Sequence, residues 1–199
     1  MRMFEGRGFR DTSAMEPVIL ETARLSLRQF TEADIDGILA ACQDPDTQRF
    51  TSVPSPYRRE HAESFVREIC PQGWARETLL NFGCFRRDTG ELVASTGFHG
   101  RQFRIDGVLE IGYWSVPAQR RQGFTAEAVA AMCDWAFDGL GVARVEWLAV
   151  VGNQGSRAVA EKVGFRFEGT LRSRLLQRGV RSDAWIGGLL STDRAMRRD

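Results

Sequence analysis

An apolar strand pattern over Val108 to Val116 passes, through Pro117-Ala118-Gln119-Arg120-Arg121-Gln122-Gly123, directly into a helical pattern that sets Val129, Met132, Ala136 and Leu140 on one face, with Trp135 nearby. A strand that feeds a helix across so short a turn needs that helix to pack back on the sheet, which restricts the chain to mixed architectures. The turn also carries chemistry. The start of a helix leaves its first backbone N–H groups unpaired and holds the positive end of the helix dipole, so it attracts an anion. Gly123 admits a ligand close to the backbone, Arg120 and Arg121 add positive charge, and such a turn can form a nest of amides of the kind that binds phosphate. A plainer reading stands beside this one: Thr125 caps a helix from Ala126 to Leu140, and the turn binds nothing. A Walker A loop is excluded, because no Lys-Ser or Lys-Thr pair follows the glycine. So is a dinucleotide fingerprint, which needs three glycines at fixed spacing.

The flanking patterns extend the architecture. Residues 18 to 30 alternate Leu25 and Leu27 with Arg24, Ser26 and Arg28 and read as a first strand; Thr31, ahead of Glu32, Ala33 and Asp34, starts a helix. Pro45, Pro54, Pro56 and Pro71 punctuate a helical, loop-rich region whose best helix is Arg59 to Ile69. Leu79 to Arg86 and Leu92 to His99 form a hairpin around Asp88-Thr89-Gly90. Arg144 to Val151 is a strand, and Asn153 to Val163 a helix ended by a left-handed Gly164. Strands from Phe165 to Leu175 and Val180 to Leu190 then turn at Arg178-Gly179. An antiparallel beginning followed by strand, helix, strand, helix, strand describes a mixed α/β sheet with helices on both faces.

With 199 residues the chain holds one substantial core, read as a single domain over 18–192. Residues 1–17 carry Arg2, Arg7 and Arg10 without the apolar run of a signal peptide. They are expected to be a flexible tail in which Met15 is an alternative start, and 193–199 a short basic tail. Basic and acidic residues number 27 and 26, a net charge of +1, so no general attraction for nucleic acid is expected and an anion site must be local. No apolar run approaches the roughly 18 to 20 residues that span a bilayer. Cys42, Cys70, Cys84 and Cys133 lie far apart, with no CxxC pair and no histidine at metal-ligand spacing. Reduced thiols in a cytosol are expected, Cys84 and Cys133 as core fillers, and no metal.

Three segments recur in a meaningful order: Glu110-Ile111-Gly112-Tyr113-Trp114-Ser115-Val116, the turn from Arg120 to Thr125, and Asn153-Gln154-Gly155-Ser156 opening a helix that ends Glu161-Lys162-Val163-Gly164-Phe165. Together they resemble the GNAT superfamily of acyl-CoA N-acyltransferases, and within it the RimJ/RimL-like branch that acetylates ribosomal-protein N-termini, over about residues 20 to 190. The resemblance implies a mostly antiparallel sheet of about seven strands whose central strands splay, with helices on both faces. It implies acetyl-CoA as cosubstrate, a primary amine as acceptor (a protein N-terminus or a small molecule), and a cytoplasmic protein, and it is compatible with a homodimer.

Carried over by position, Arg120, Arg121, Gln122, Gly123, Phe124, Thr125 and Ala126 form the pyrophosphate loop, with Thr125 departing from the usual glycine or alanine. Trp114, Ser115 and Val116 face the pantetheine through their backbone, and the Val116 N–H is the donor to the thioester oxygen. Asn153 contacts the pantetheine and also caps its helix. Ser156 either protonates the departing thiolate or is an ordinary first-turn residue. Glu110 is the leading general base, acting through water, against the reading of a plain outward strand carboxylate. His99 is the second candidate, against that of a surface turn residue. Asp183 either touches the acceptor or braces the sheet, and Lys162 and Arg157 either meet a CoA phosphate or are solvated charge.

The reaction so implied needs a neutral amine. With a pKa of about 7.8 roughly one α-amine in seven is neutral at pH 7, against about one lysine in 2,500 at a pKa of about 10.4, so a modest base suits an α-amine or weakly basic amine better. The other class of reading is a catalytically silent acyl-CoA-binding or protein-interaction domain with the same fold. Residues 31 to 76 are expected to shape the acceptor pocket.

Overall fold

The computed structural model describes residues 15–100 and 103–193. The expected tails therefore lie outside the described residues, apart from 15–17 and Asp193.

Eight strands form one sheet: β1 (Leu20–Glu21), β2 (Leu25–Arg28), β3 (Leu79–Arg86), β4 (Leu92–His99), β5 (Val108–Ser115), β6 (Arg144–Val150), β7 (Arg166–Gln177) and β8 (Val180–Leu190). Their order is β1-β2-β3-β4-β5-β6-β8-β7, and every neighbouring pair is antiparallel except β5 and β6. The connections explain the exception. β7 and β8 turn back over Arg178 and Gly179, both at positive φ (47° and 80°), whereas a whole helix intervenes between β5 and β6 and carries the chain back to the same end.

The count is eight rather than about seven because the first expected strand doubles back on itself. Thr22 N–H bonds the Leu25 carbonyl, so that Leu20 lies opposite Leu27. Glu127 holds this turn from a distance, accepting from the Thr22 hydroxyl (2.6 Å), the Arg24 amide (3.0 Å) and Arg24 Nε (2.6 Å).

After a 3-10 turn at Glu32–Asp34, the helices are α1 (Ile35–Cys42), α2 (Pro45–Phe50), α3 (Arg59–Ser64), α4 (Cys70–Ala75), α5 (Phe103–Asp106), α6 (Phe124–Asp138) and α7 (Gln154–Val163). A π turn over Phe65–Ile69 joins α3 to α4, so the helix expected to end at Ile69 continues to Ala75. Pro71 does not stop it. The Cys70 N–H bonds Phe65 O five residues back, and Pro71 falls in the first turn of the next segment, where its fixed φ suits the helix.

Two apolar clusters flank the sheet. Phe82, Cys84, Leu109, Ile111 and Trp147 pack against Val129, Met132, Cys133 and Ala136 of α6 and Ala160 and Val163 of α7. Phe30 and Phe85 pack against Ile35, Ile38 and Cys42 of α1 and Ala62 and Val66 on the other side. Cys84 and Cys133 are core residues as expected, and all four cysteines are buried with none in a disulfide.

Candidate active site

The parallel pairing of β5 with β6 lasts only four rungs, from Val108 opposite Arg144 to Ile111 opposite Trp147. Beyond these, β5 stays with β4 (Gly112 opposite Gly97, Ser115 opposite Ala94) and β6 stays with β8 (Leu148 opposite Ile186, Val150 opposite Ala184), so the two strands part. A cleft of about 800 Å3 occupies the opening. Its walls include Tyr113, Trp114 and Ser115, the turn at Arg120, Arg121 and Gly123 to Ala126, the start of α7 from Asn153 to Ser156, Lys162, and Phe50 and Thr51 of the α2 segment.

Most of the residues expected at a cofactor site thus share one cavity, and three of them differ in role. The Val116 amide, expected to serve a thioester oxygen, donates to Val93 O at 2.9 Å and completes the β4 ladder. Backbone direction alternates along a strand, so Trp114, opposite Ser95, likewise turns its backbone groups to β4 and lines the cleft by its side chain only, and it is Tyr113 and Ser115 that turn their N–H and C=O groups to the open side. Gln122 folds back on its own turn, Nε2 donating to Ala118 O and Gln119 Oε1, and lies outside the cleft walls.

The turn departs from the simple capping scheme. Gly123, not Thr125, is the N-cap of α6, with φ 82° and ψ 0° in the left-handed region that a side chain disfavours. The first helical bond runs from Glu127 N to Gly123 O, which leaves the amides just ahead of it without intrahelical partners. Thr125 is buried inside the first turn, its hydroxyl 2.7 Å from that of Ser115. Arg120 lines the cleft, but its guanidinium is engaged by the Asp44 carboxylate and by Thr47 Oγ1 (3.4 Å), with Asp46 at 3.7 Å. Burial of Asp44 opposes its ionisation, yet Arg120 and the amide and hydroxyl of Thr47 together hold its carboxyl below the ordinary value.

On the far side of the cleft, Asn153 caps α7 as expected, its Oδ1 accepting from the Ser156 amide at 3.1 Å. Ser156 Oγ accepts from Trp147 Nε1 (2.9 Å) and donates to Tyr113 Oη (3.2 Å), and Tyr113 Oη donates to Ser156 O (2.8 Å). Burial pushes the Tyr113 hydroxyl above its usual pKa, so it stays protonated across the physiological range. Sequence reasoning gave Tyr113 and Trp147 no role. Tyr113 stands in the quoted strand motif, but only the fold brings Trp147 to Ser156.

Glu110 and His99 stand apart from the cleft walls. They face one another across β4 and β5, and Glu146 is opposite Glu110 on β6, one rung before the last that the two strands share. The neighbouring Leu109 and Ile111 point into the α6 core, so Glu110 projects from the opposite face. Burial raises the Glu110 carboxyl; Arg174 pulls it back, and Glu146 raises it further. The His99 imidazole is open to solvent on one side and crowded by protein on the others, and this loss of water lowers its pKa. Asp183 braces the sheet: its Oδ1 accepts from Ser173 N at 2.8 Å, and its carbonyl from Val151 N at 3.0 Å.

A family model described as an acetyltransferase (GNAT) domain matches residues 24–166. The chain belongs to the GNAT acetyltransferase family. Its GNAT relatives include YoaA of Bacillus subtilis (strain 168), named an uncharacterized N-acetyltransferase, 32% identical over 165 residues that cover 83% of this chain and 92% of YoaA. RimJ of Mycobacterium smegmatis in complex with CoA-disulfide shares the GNAT fold at a TM-score of 0.77 and 19% identity, covering 92% of this chain and 90% of that one. RimL, a ribosomal L7/L12 alpha-N-protein acetyltransferase solved with coenzyme A, does so at 0.76 and 20%, covering 87% and 98%. The splayed β5 and β6 are thus those of a GNAT enzyme, a family of acyltransferases that use acetyl-CoA. Among the described residues no helix is long and apolar enough to cross a membrane.

Proposed function

We propose that the protein transfers the acetyl group of acetyl-CoA to a primary amine, either a protein N-terminal α-amine or a small-molecule amine, in the cytoplasm. The opening between β5 and β6 carries this reading. It offers unpaired strand groups at Tyr113 and Ser115 to a pantetheine arm, and it runs up to the amides of the Gly123 turn, where a pyrophosphate fits. Acetyl-CoA supplies the activated acyl group.

The chain's own residues then divide the work. Glu110 removes the amine proton through water from the face opposite α6, and its raised pKa makes it a better proton acceptor than an ordinary carboxylate. An amide on the open side of β5, at Tyr113 or Ser115, stabilises the developing oxyanion. The Ser156 hydroxyl, oriented by Trp147, turns its proton from Tyr113 Oη to the departing thiolate and stabilises it. Asn153 holds the start of α7 against the pantetheine. His99 is a neutral neighbour of Glu110.

Release of CoA from acetyl-CoA, followed against a panel of small amines and peptides with free N-termini, tests the reading. Turnover with at least one acceptor class is expected. Tight acetyl-CoA binding without turnover would instead identify a silent acyl-CoA-binding domain.

A further inference from the structure

Position in the motif assigns Arg120 to phosphate, but the folded chain uses Arg120 elsewhere. Its guanidinium ties the turn to α2 through Asp44 and Thr47. Arg24, which also approaches the turn, is likewise committed: Nε and Nη2 meet Glu127, and Nη1 donates to Gln122 O. A methyl group placed on Gly123 would lie 3.4 Å from Lys162 Nζ and 3.5 Å from Arg24 Nη2. Lys162 forms part of the cleft wall and has no ion-pair partner among the described residues.

We infer that Lys162, reaching from α7 to the space above Gly123, is a side-chain cation that meets the pyrophosphate, beside Arg121 of the turn itself, and that Arg120 is the latch that holds α2. This rests on the donor site proposed above. The left-handed Gly123 leaves open the space into which an anionic oxygen comes within reach of the unpaired amides, and the Lys162 ammonium stands at the edge of that space. The ammonium is a compact charge on a flexible stem, suited to closing on a phosphate once it arrives. Arg157, five residues earlier on the same helix, has the same charge but a different setting. It pairs with Glu161 at 2.7 Å and lies over the rings of Phe167 and Trp185. The competing role for Lys162 is purely structural, a cation in the last turn of α7 facing the negative end of the helix dipole. That role moves thermal stability but not affinity for CoA.

Calorimetric titration of the full-length protein with CoA and with dephospho-CoA, which keeps the pyrophosphate and lacks the 3′-phosphate, separates these roles. K162M is expected to weaken both ligands by the same factor, about tenfold for one charge-assisted hydrogen bond. K162R is expected to restore most of the loss, and R157Q to leave both ligands within about twofold of the unaltered protein. Unchanged affinity in K162M overturns the inference, as does an equal loss in R157Q, which would mark a general field effect. A loss confined to CoA also overturns it, because Lys162 would then meet the 3′-phosphate. Failure of the unaltered protein to bind either ligand removes the donor site itself, and this inference with it.

Discussion

Glu110 is held in a setting that opposes its charge. Burial and the facing Glu146 raise its pKa, Arg174 opposes them, and His99 on the other side is kept toward its neutral form. Because the folded-state pKa lies above the unfolded one, whatever stability this group contributes is complete below the unfolded pKa and is lost as pH rises through the folded value. At pH 7, therefore, E110Q is expected to melt at a higher temperature than the unaltered protein while kcat falls by on the order of 100-fold, the scale of a lost general base. A lower melting temperature would show that the carboxylate stabilises the fold. In the same terms, the acid limb of the pH profile of kcat/KM is expected above the ordinary value of a glutamate. E146Q should move that limb to lower pH by removing the like charge, and an unmoved limb would disconnect the pair.

At the scale of elements, what was legible in the sequence is what neighbouring residues decide. Asn153 caps α7 and Gly164 ends it at φ 99° because both roles are played within a few residues along the chain. N153A is expected to cost about 1 kcal/mol in denaturant unfolding, the usual worth of such a cap. A loss near zero would mean that Asn153 is retained for a ligand alone. The start of α6 was harder to read. Thr125 has the chemistry of a cap, but the positive φ at Arg121 (63°) and Gly123 sets the helix start two residues earlier and turns the Thr125 hydroxyl to Ser115. The Val116 amide was misplaced for a related reason: which amides of β5 face the opening depends on the β4 register, fixed by residues near Val93 that no local pattern reveals.

Across the whole molecule, the opening between β5 and β6 is enclosed by a circuit of contacts. β5 leads to Arg120, Arg120 to Asp44 and α2, and the end of that segment to Arg178, at the turn between β7 and β8. Arg178 Nη2 bonds Gln48 O at 2.6 Å, and Nη1 bonds Val53 O at 3.0 Å and Thr51 O at 3.3 Å, across 125 to 130 residues of sequence. Contacts so remote leave no trace in a linear pattern, which is why residues 44–53 read in the sequence only as part of a loop-rich stretch. R178A is expected to speed hydrogen exchange over residues 48–53 and to raise the KM for the acceptor, while CoA affinity stays the same. Unaltered exchange would show that the α2 segment stands without Arg178. The cysteines have a practical consequence of another kind. All four are buried, with the thiols of Cys42 and Cys70 pushed up to about 12 by desolvation and that of Cys84 higher still, so little thiolate is available to react. A chromogenic disulfide reagent added to the native protein should therefore give a flat baseline. Every later increment of colour would then count a molecule of CoA set free, and the enzyme could be assayed continuously with its own cysteines in place.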